Sequence, residues 1–198
     1  MHKNKIIILL FLLMLTGCVL KPKYIIQNYK PPQKISILPF ENYTTDFDAP
    51  IVVRNIFAQM IKNKNYTIKS LDETDNILKE NGITQAGQLN SISYSELGKI
   101  LDVDAVIYGK VLEFNYITLG IYYKRAVRAN FKLINTHSGE LLWEDEKVSY
   151  TQKIVTEKIA EEFKKQLIEK TVDKILKSPL IEETQDVVRW ALSTLPDR

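Results

Sequence analysis

A chain of 198 residues, 45% hydrophobic and 26% charged, has the profile of one globular domain with targeting or tail segments. It is not the profile of a disordered, collagenous or low-complexity chain, and it contains no repeat. The formal charge is +3, of which Lys3 and Lys5 belong to an acid-free leader; without that leader the chain carries +1. So small a charge gives no electrostatic case for nucleic acid. The single cysteine, Cys18, excludes an internal disulfide.

The leader comes first. His2, Lys3 and Lys5 form a positive segment, and Ile6 to Leu15 is a ten-residue apolar run. At 1.5 Å per residue such a helix spans about 15 Å, half of a hydrocarbon core of about 30 Å. It reads as a secretory signal over residues 1–17 rather than a membrane-spanning anchor. Leu15, Thr16 and Gly17 lead into Cys18 in the pattern of a bacterial lipobox, with small residues that admit a peptidase to the backbone. The pattern predicts cleavage before Cys18 and acylation of its thiol, with palmitate-type chains completing the anchor. At about 0.8 kcal/mol per buried CH2, two or three chains hold a protein on a membrane, where one is marginal. Val19, in place of an aspartate, points to the outer membrane, with the domain facing the periplasm.

Residues 18–34 include Pro22, Pro31 and Pro32 and show neither helical nor strand period, so they are expected to form a tether. The sixteen residues from Val19 to Lys34 reach at most about 55 Å. Residues 35–177 are expected to form the domain. Ile35 to Phe40 reads as a buried strand. Asp48 and Pro50 open a helix whose core stripe is Val52, Val53, Ile56, Phe57, Met60 and Ile61. Tyr66 to Ile68 is a short strand. Ser70 with Glu73, and Ser93 with Glu96, have the spacing of capping boxes and start two further helices. Ala105 to about Thr118, Tyr122 to Asn135 and Leu141 to Tyr150 read as an antiparallel meander, with turns at Gly120 and over Thr136 to Gly139. A helical pattern runs from Ile154 to Leu176 and breaks at Ser178-Pro179. Residues 178–198 form a tail that carries Val187, Val188, Trp190 and Leu192 and has the pattern of another amphipathic helix. The expected architecture is α/β (mixed α+β): one mixed parallel and antiparallel sheet of about five strands, with helices packed on it.

Several segments carry a resemblance. Ile35 to Phe40 with Asn42, Asp72-Glu73, Asn81-Gly82-Ile83-Thr84, Asp104 to Tyr108 and Ser138 to Trp143 are similar, in order and spacing, to a family of Gram-negative lipoproteins of unknown function. That family includes a meningococcal surface antigen. The resemblance implies a fold like the TolB N-terminal domain, shared by the curli secretion lipoprotein and by a lipoprotein activator of penicillin-binding proteins. It brings no catalytic residue with it.

The residues themselves offer no enzyme motif. His137 is the only histidine after the leader and sits in a polar turn; with Cys18 acylated there is no thiol nucleophile for it to activate. Asp72, Glu73 and Asp75 read as acids favoured in the first turn of a helix. No zinc spacing, phosphate loop or cofactor motif is present in the sequence. Attention falls on Phe114, Tyr116, Tyr122, Tyr123 and Arg125 around a hairpin tip, and on Trp190 in the tail, because aromatics and arginine are enriched at protein interfaces. The chain is expected to be a non-enzymatic accessory subunit of an envelope secretion or transport complex, with envelope proteins as partners and homo-oligomerisation as one mode. Activation of a peptidoglycan synthase, or service in an oligomeric secretion channel, are the alternatives.

Overall fold

The computed structural model describes residues 21–119, 122–154 and 180–198. The leader, Cys18, the turn at Gly120, the helical stretch over 155–176 and Ser178-Pro179 lie outside the described residues.

The described chain runs β1 (Tyr24–Ile25), β2 (Lys34–Ile37), β3 (Glu41–Asn42), α1 (Ala49–Met60), β4 (Thr67–Ile68), α2 (Leu71–Glu80), α3 (Tyr94–Leu101), β5 (Ala105–Leu119), β6 (Tyr122–Asn135), β7 (Leu141–Ile154) and α4 (Ile181–Thr194), with 3-10 turns at Ile61–Lys64 and Ala86–Ser91. The strands form one seven-stranded mixed sheet in the order β1-β7-β6-β5-β2-β4, with β3 also on β5. β2 pairs parallel with β4 and β5, and β3 pairs parallel with β5, whereas β5, β6 and β7 are antiparallel. Helices that return the chain between early strands give the parallel half; tight turns give the antiparallel half.

Two strands exceed the expected five. β1 lies in the stretch read as a tether: Tyr24 pairs with Glu144 and Ile25 with Trp143. Ile26 and Tyr29 pack against the core, and the Tyr29 and Tyr66 hydroxyls lie 2.6 Å apart. A two-residue edge strand whose partner is more than a hundred residues away leaves no local period to read. β3 (Glu41–Asn42) begins just past the Ile35 to Phe40 stretch read as a strand, in residues for which the sequence predicts no element.

The sheet is sandwiched between two helical layers. On one face α1 and α4 cover Ile35, Ile37, Ile107, Val127, Phe131 and Trp143. On the other, α2, the 3-10 turn over Ala86–Ser91 and α3 cover Leu38, Val106 and Ile134 with Leu78, Leu89, Leu97 and Leu101. The serine half of both expected capping boxes forms, with Ser70 Oγ accepting from the Glu73 N–H and Ser93 Oγ from the Glu96 N–H, each at 3.2 Å, while the Glu73 carboxylate accepts from Lys69 Nζ at 2.6 Å instead of reaching back to the cap. Gly109 lets Phe40 lie on the sheet, since a Cβ there would meet the Phe40 ring at 2.4 Å. Gly139 takes φ +72°, which closes the Thr136 to Gly139 turn.

Arg54 is a core member that the sequence conceals. On α1 it is 8% exposed; its Nε and Nη2 donate to the Ile37 carbonyl at 3.2 and 2.7 Å, and Nη1 and Nη2 donate to Asp75 at 2.8 and 2.7 Å. Asp75 is therefore the brace between α1 and α2, not simply an acid of the α2 first turn.

Candidate functional site

The meander outgrows the rest of the sheet. β3 leaves β5 after Asn42 pairs with Val111, apart from a last hydrogen bond from the Tyr43 N–H to the Val111 carbonyl at 2.9 Å. β1 leaves β7 at the Tyr24–Glu144 pair. Beyond these points β5, β6 and β7 continue as a three-stranded blade, with a register shift between Val111 and Glu113. Among the described residues no strand pairs with the outer edge of β5 from Glu113 to Leu119, or with that of β7 from Glu146 to Ile154. At about 3.3 Å per residue the free edges run for roughly 20–30 Å.

The two faces of the blade differ. One continues the face that carries α1 and α4. Phe114 lies there, 5% exposed in the core, so it is withdrawn from the surface on which the sequence placed it. Arg125 is also committed inward: Nε and Nη2 meet the Glu183 carboxylate of α4 at 2.6 and 2.7 Å, and Nη1 reaches the Tyr123 hydroxyl at 3.1 Å. Burial alone would make the guanidinium easier to deprotonate, but Tyr123 and Glu183 outweigh it and hold the proton more tightly. Tyr116 is 45% exposed and stands edge-on to Tyr123, with ring centroids 5.9 Å apart. Tyr122 is half-buried on the opposite face.

That opposite face is a ladder of charge. Lys124 bonds Glu113 at 2.8 Å and lies 5.5 Å from the Tyr150 ring centroid. Arg128 Nε donates to Glu146 at 2.6 Å, and Lys23 of the N-terminal segment bonds Glu144 at 2.8 Å. The Lys124 hydrogen bond holds Glu113 below the usual carboxylate range despite partial burial. Burial would raise Glu144, but Lys23, Asn130 and Lys132 together keep it below that range. Val148 and Tyr150 stand exposed among these pairs on β7.

The tail docks on its own domain. Val187, Val188, Ala191 and Leu192 are buried on the sheet. Trp143 Nε1 donates to Thr194 Oγ1 at 3.1 Å, and Thr194 Oγ1 donates to the buried Asp145 at 2.7 Å. Trp190 remains half-exposed on the outer side of α4. The structure thus gathers Tyr116, Tyr122 and Tyr123 on the blade, commits Phe114 and Arg125 to the interior, and leaves Trp190 apart. His137 is 77% exposed in its turn, 3.8 Å from Asp104. Among the described residues there is no cluster of three or more His, Cys, Asp or Glu that could hold a metal ion. Val148 and Tyr150 carry no signal of their own in the sequence; only the register with β6 puts them on the open face.

The model of the GNA1162-like lipoprotein family matches residues 24–195. The chain belongs to that family. No curated protein matches it in sequence. Among solved structures it is similar to lipoprotein GNA1162 from Neisseria meningitidis, at 18% identity and TM-score 0.58, covering 72% of this chain and 100% of that one. It is similar to a PelC dodecamer, a single-substitution variant from Paraburkholderia phytofirmans, at 16% identity and TM-score 0.55, covering 84% and 89%. The protein CT253 from Chlamydia trachomatis follows at 7% identity and TM-score 0.50, covering 82% and 95%. At these identities the likeness is one of fold. It agrees with the family named from Ile35 to Trp143 and with the mixed sheet expected there.

Proposed function

We propose that this family member is a lipid-anchored lipoprotein of the outer membrane that faces the periplasm. It acts without catalysis, as an accessory subunit of an envelope secretion or transport complex, and its blade is the contact surface. The observation that carries this reading is the pair of blade edges that no strand among the described residues covers. A strand edge exposes a row of backbone donors and acceptors that a further strand completes. β5 and β7 run in the same direction, so the β7 edge of one copy pairs parallel with the β5 edge of the next. Such a head-to-tail contact closes into a ring when the rotation permits. That a structure of similar fold is a PelC dodecamer supports this mode of assembly. Anchoring through Cys18 rests on the lipobox and on the family. With β1 fixed in the sheet at Tyr24, the six residues from Cys18 reach at most about 20 Å, so the domain works close to the bilayer.

The test uses two cysteines in the full chain in its native membrane. Asn115 of β5 and Tyr150 of β7 lie on one row, both opposite Ala126. Within one copy they are two strand spacings apart, about 9–10 Å, beyond the roughly 7 Å that a disulfide tolerates. Asn115→Cys with Tyr150→Cys in one chain gives, on oxidation, a ladder of linked copies; either substitution alone gives at most dimers. Monomers only, with both cysteines present, would overturn the assembly reading.

A further inference from the structure

The N-terminal segment enters the domain from the blade side. β1 is antiparallel to β7, with Tyr24 opposite Glu144 and Ile25 opposite Trp143, so the chain upstream of Tyr24 runs along the β7 edge toward the blade tip. Side chains hold it on that course. Lys23 Nζ meets Glu144 at 2.8 Å and Glu146 at 3.9 Å, and Lys147 Nζ donates to the Lys21 carbonyl at 3.3 Å, which puts Lys21 level with Lys147. Cys18 is three residues before Lys21 and lies within about 11 Å of it. From Lys147 the blade continues for seven residues to Ile154, about 23 Å. The tip therefore extends about 12 Å farther along the strands than any position open to Cys18.

We infer, resting on the acylation of Cys18 proposed above, that the far end of the blade docks in the headgroup layer of the bilayer that holds that residue, through a belt of tyrosines. Tyr122 and Tyr123 begin β6, Tyr116 is opposite Arg125, and Tyr150 is opposite Ala126. All four thus fall within four residue steps of one another along the blade, about 13 Å. They are divided between its faces: Tyr116 and Tyr123 share the face that carries α4, and Tyr122 and Tyr150 share the charged face. Tyr116 is 45% exposed and Tyr150 52%.

That division selects the occupant. A protein that packs on a sheet takes one face, whereas a lipid layer surrounds whatever enters it. Tyrosine is the residue type that gathers at a membrane–water boundary, with its ring on the apolar side and its hydroxyl among the headgroups. Lys21, exposed where the chain enters, adds a cation for lipid phosphates. The strand edges set the depth. Among the described residues the outer edges of β5 and β7 are unpaired here, so their backbone groups need water or headgroups and do not cross the hydrocarbon core.

The test uses the full acylated chain, extracted from its own membrane and reconstituted in vesicles of phosphatidylethanolamine and phosphatidylglycerol that contain nitroxide-labelled lipid. With Cys18 acylated, a cysteine added elsewhere is the only free thiol and takes a maleimide fluorophore. Gln152→Cys places the probe on β7 inside the belt, opposite Lys124. Glu80→Cys places it at the exposed end of α2, which follows β4 at the other edge of the sheet. The probe at 152 is expected to lose most of its emission to the nitroxide lipid and the probe at 80 none. Replacing both exposed rings, Tyr116→Ser with Tyr150→Ser, is expected to restore emission at 152 while the chain still floats with the vesicles and keeps its melting temperature. A chain that floats while its 152 probe stays bright overturns this inference and leaves the anchor standing. So does a 152 probe shielded from iodide yet untouched by nitroxide lipid, which marks a protein contact, or a double-serine chain quenched as strongly as its parent. A chain that does not float overturns the anchor, and the docking with it.

Discussion

Arg54 offers the sharpest test of how this fold is held together. Replacing it by alanine removes two hydrogen bonds to the Ile37 carbonyl and two to Asp75. The two partners differ in exposure: the Arg54 side chain is 10% accessible and Asp75 46%. The Asp75 contacts are half in water and contribute about 0.5–1 kcal/mol after screening. The Ile37 carbonyl is fully buried; leaving it without a partner costs about 1–3 kcal/mol. Loss of the apolar stem adds about 1 kcal/mol. Arg54→Ala is thus expected to cost about 3–4 kcal/mol, or roughly 10 °C in a chain of this size. Asp75→Ala costs about 1 kcal/mol, and Arg54→Met, which keeps the stem, falls between them. Urea unfolding followed through the fluorescence of buried Trp143 measures all three. If Arg54→Ala and Asp75→Ala cost the same, the carbonyl is not what Arg54 serves and the reasoning fails.

Other expectations follow from the same contacts. Gly109→Ala drives a Cβ into the Phe40 ring and is expected to destabilise by about 1–3 kcal/mol, measurable by urea titration. Thr194→Val breaks the relay from Trp143 to Asp145 and costs about 1–3 kcal/mol, with a red shift of the Trp143 emission if water reaches the indole. Glu41, Glu113 and Glu144 have carboxyls held below their ordinary value of 4.5. Their contribution is therefore complete above about pH 4.5 and is lost as the pH falls through their folded-state values; the melting temperature is expected to fall on acidification below about 4.5, less steeply in Glu113→Gln. Cys18→Ser is expected to block incorporation of labelled palmitate and to release the protein from the membrane fraction; undiminished labelling would rule out that thiol as the anchor.

Local chemistry was legible in the sequence, and long-range register was not. The serine caps at Ser70 and Ser93 and the proline in the first turn of α1 act within a few residues, so their spacing carries the signal. Strands β5, β6 and β7 are long enough for their pattern to show. β1 is two residues long and is defined by its partner. Arg54 reads as a solvent-facing charge in an amphipathic helix because the carbonyl and carboxylate that accept its protons arrive from β2 and α2. Phe114 and Tyr116 share a face by alternation, yet one is buried and the other is 45% exposed. The blade was anticipated as a hairpin of interest, but which of its aromatics remain available depended on the tertiary fold.

The most direct measurement of the account is the native mass of the full chain extracted from its own membrane in mild detergent. It predicts a closed multimer in which every subunit begins at Cys18 and carries acyl chains. A monomer, or a subunit that retains residues 1–17 and bears no lipid, would contradict it.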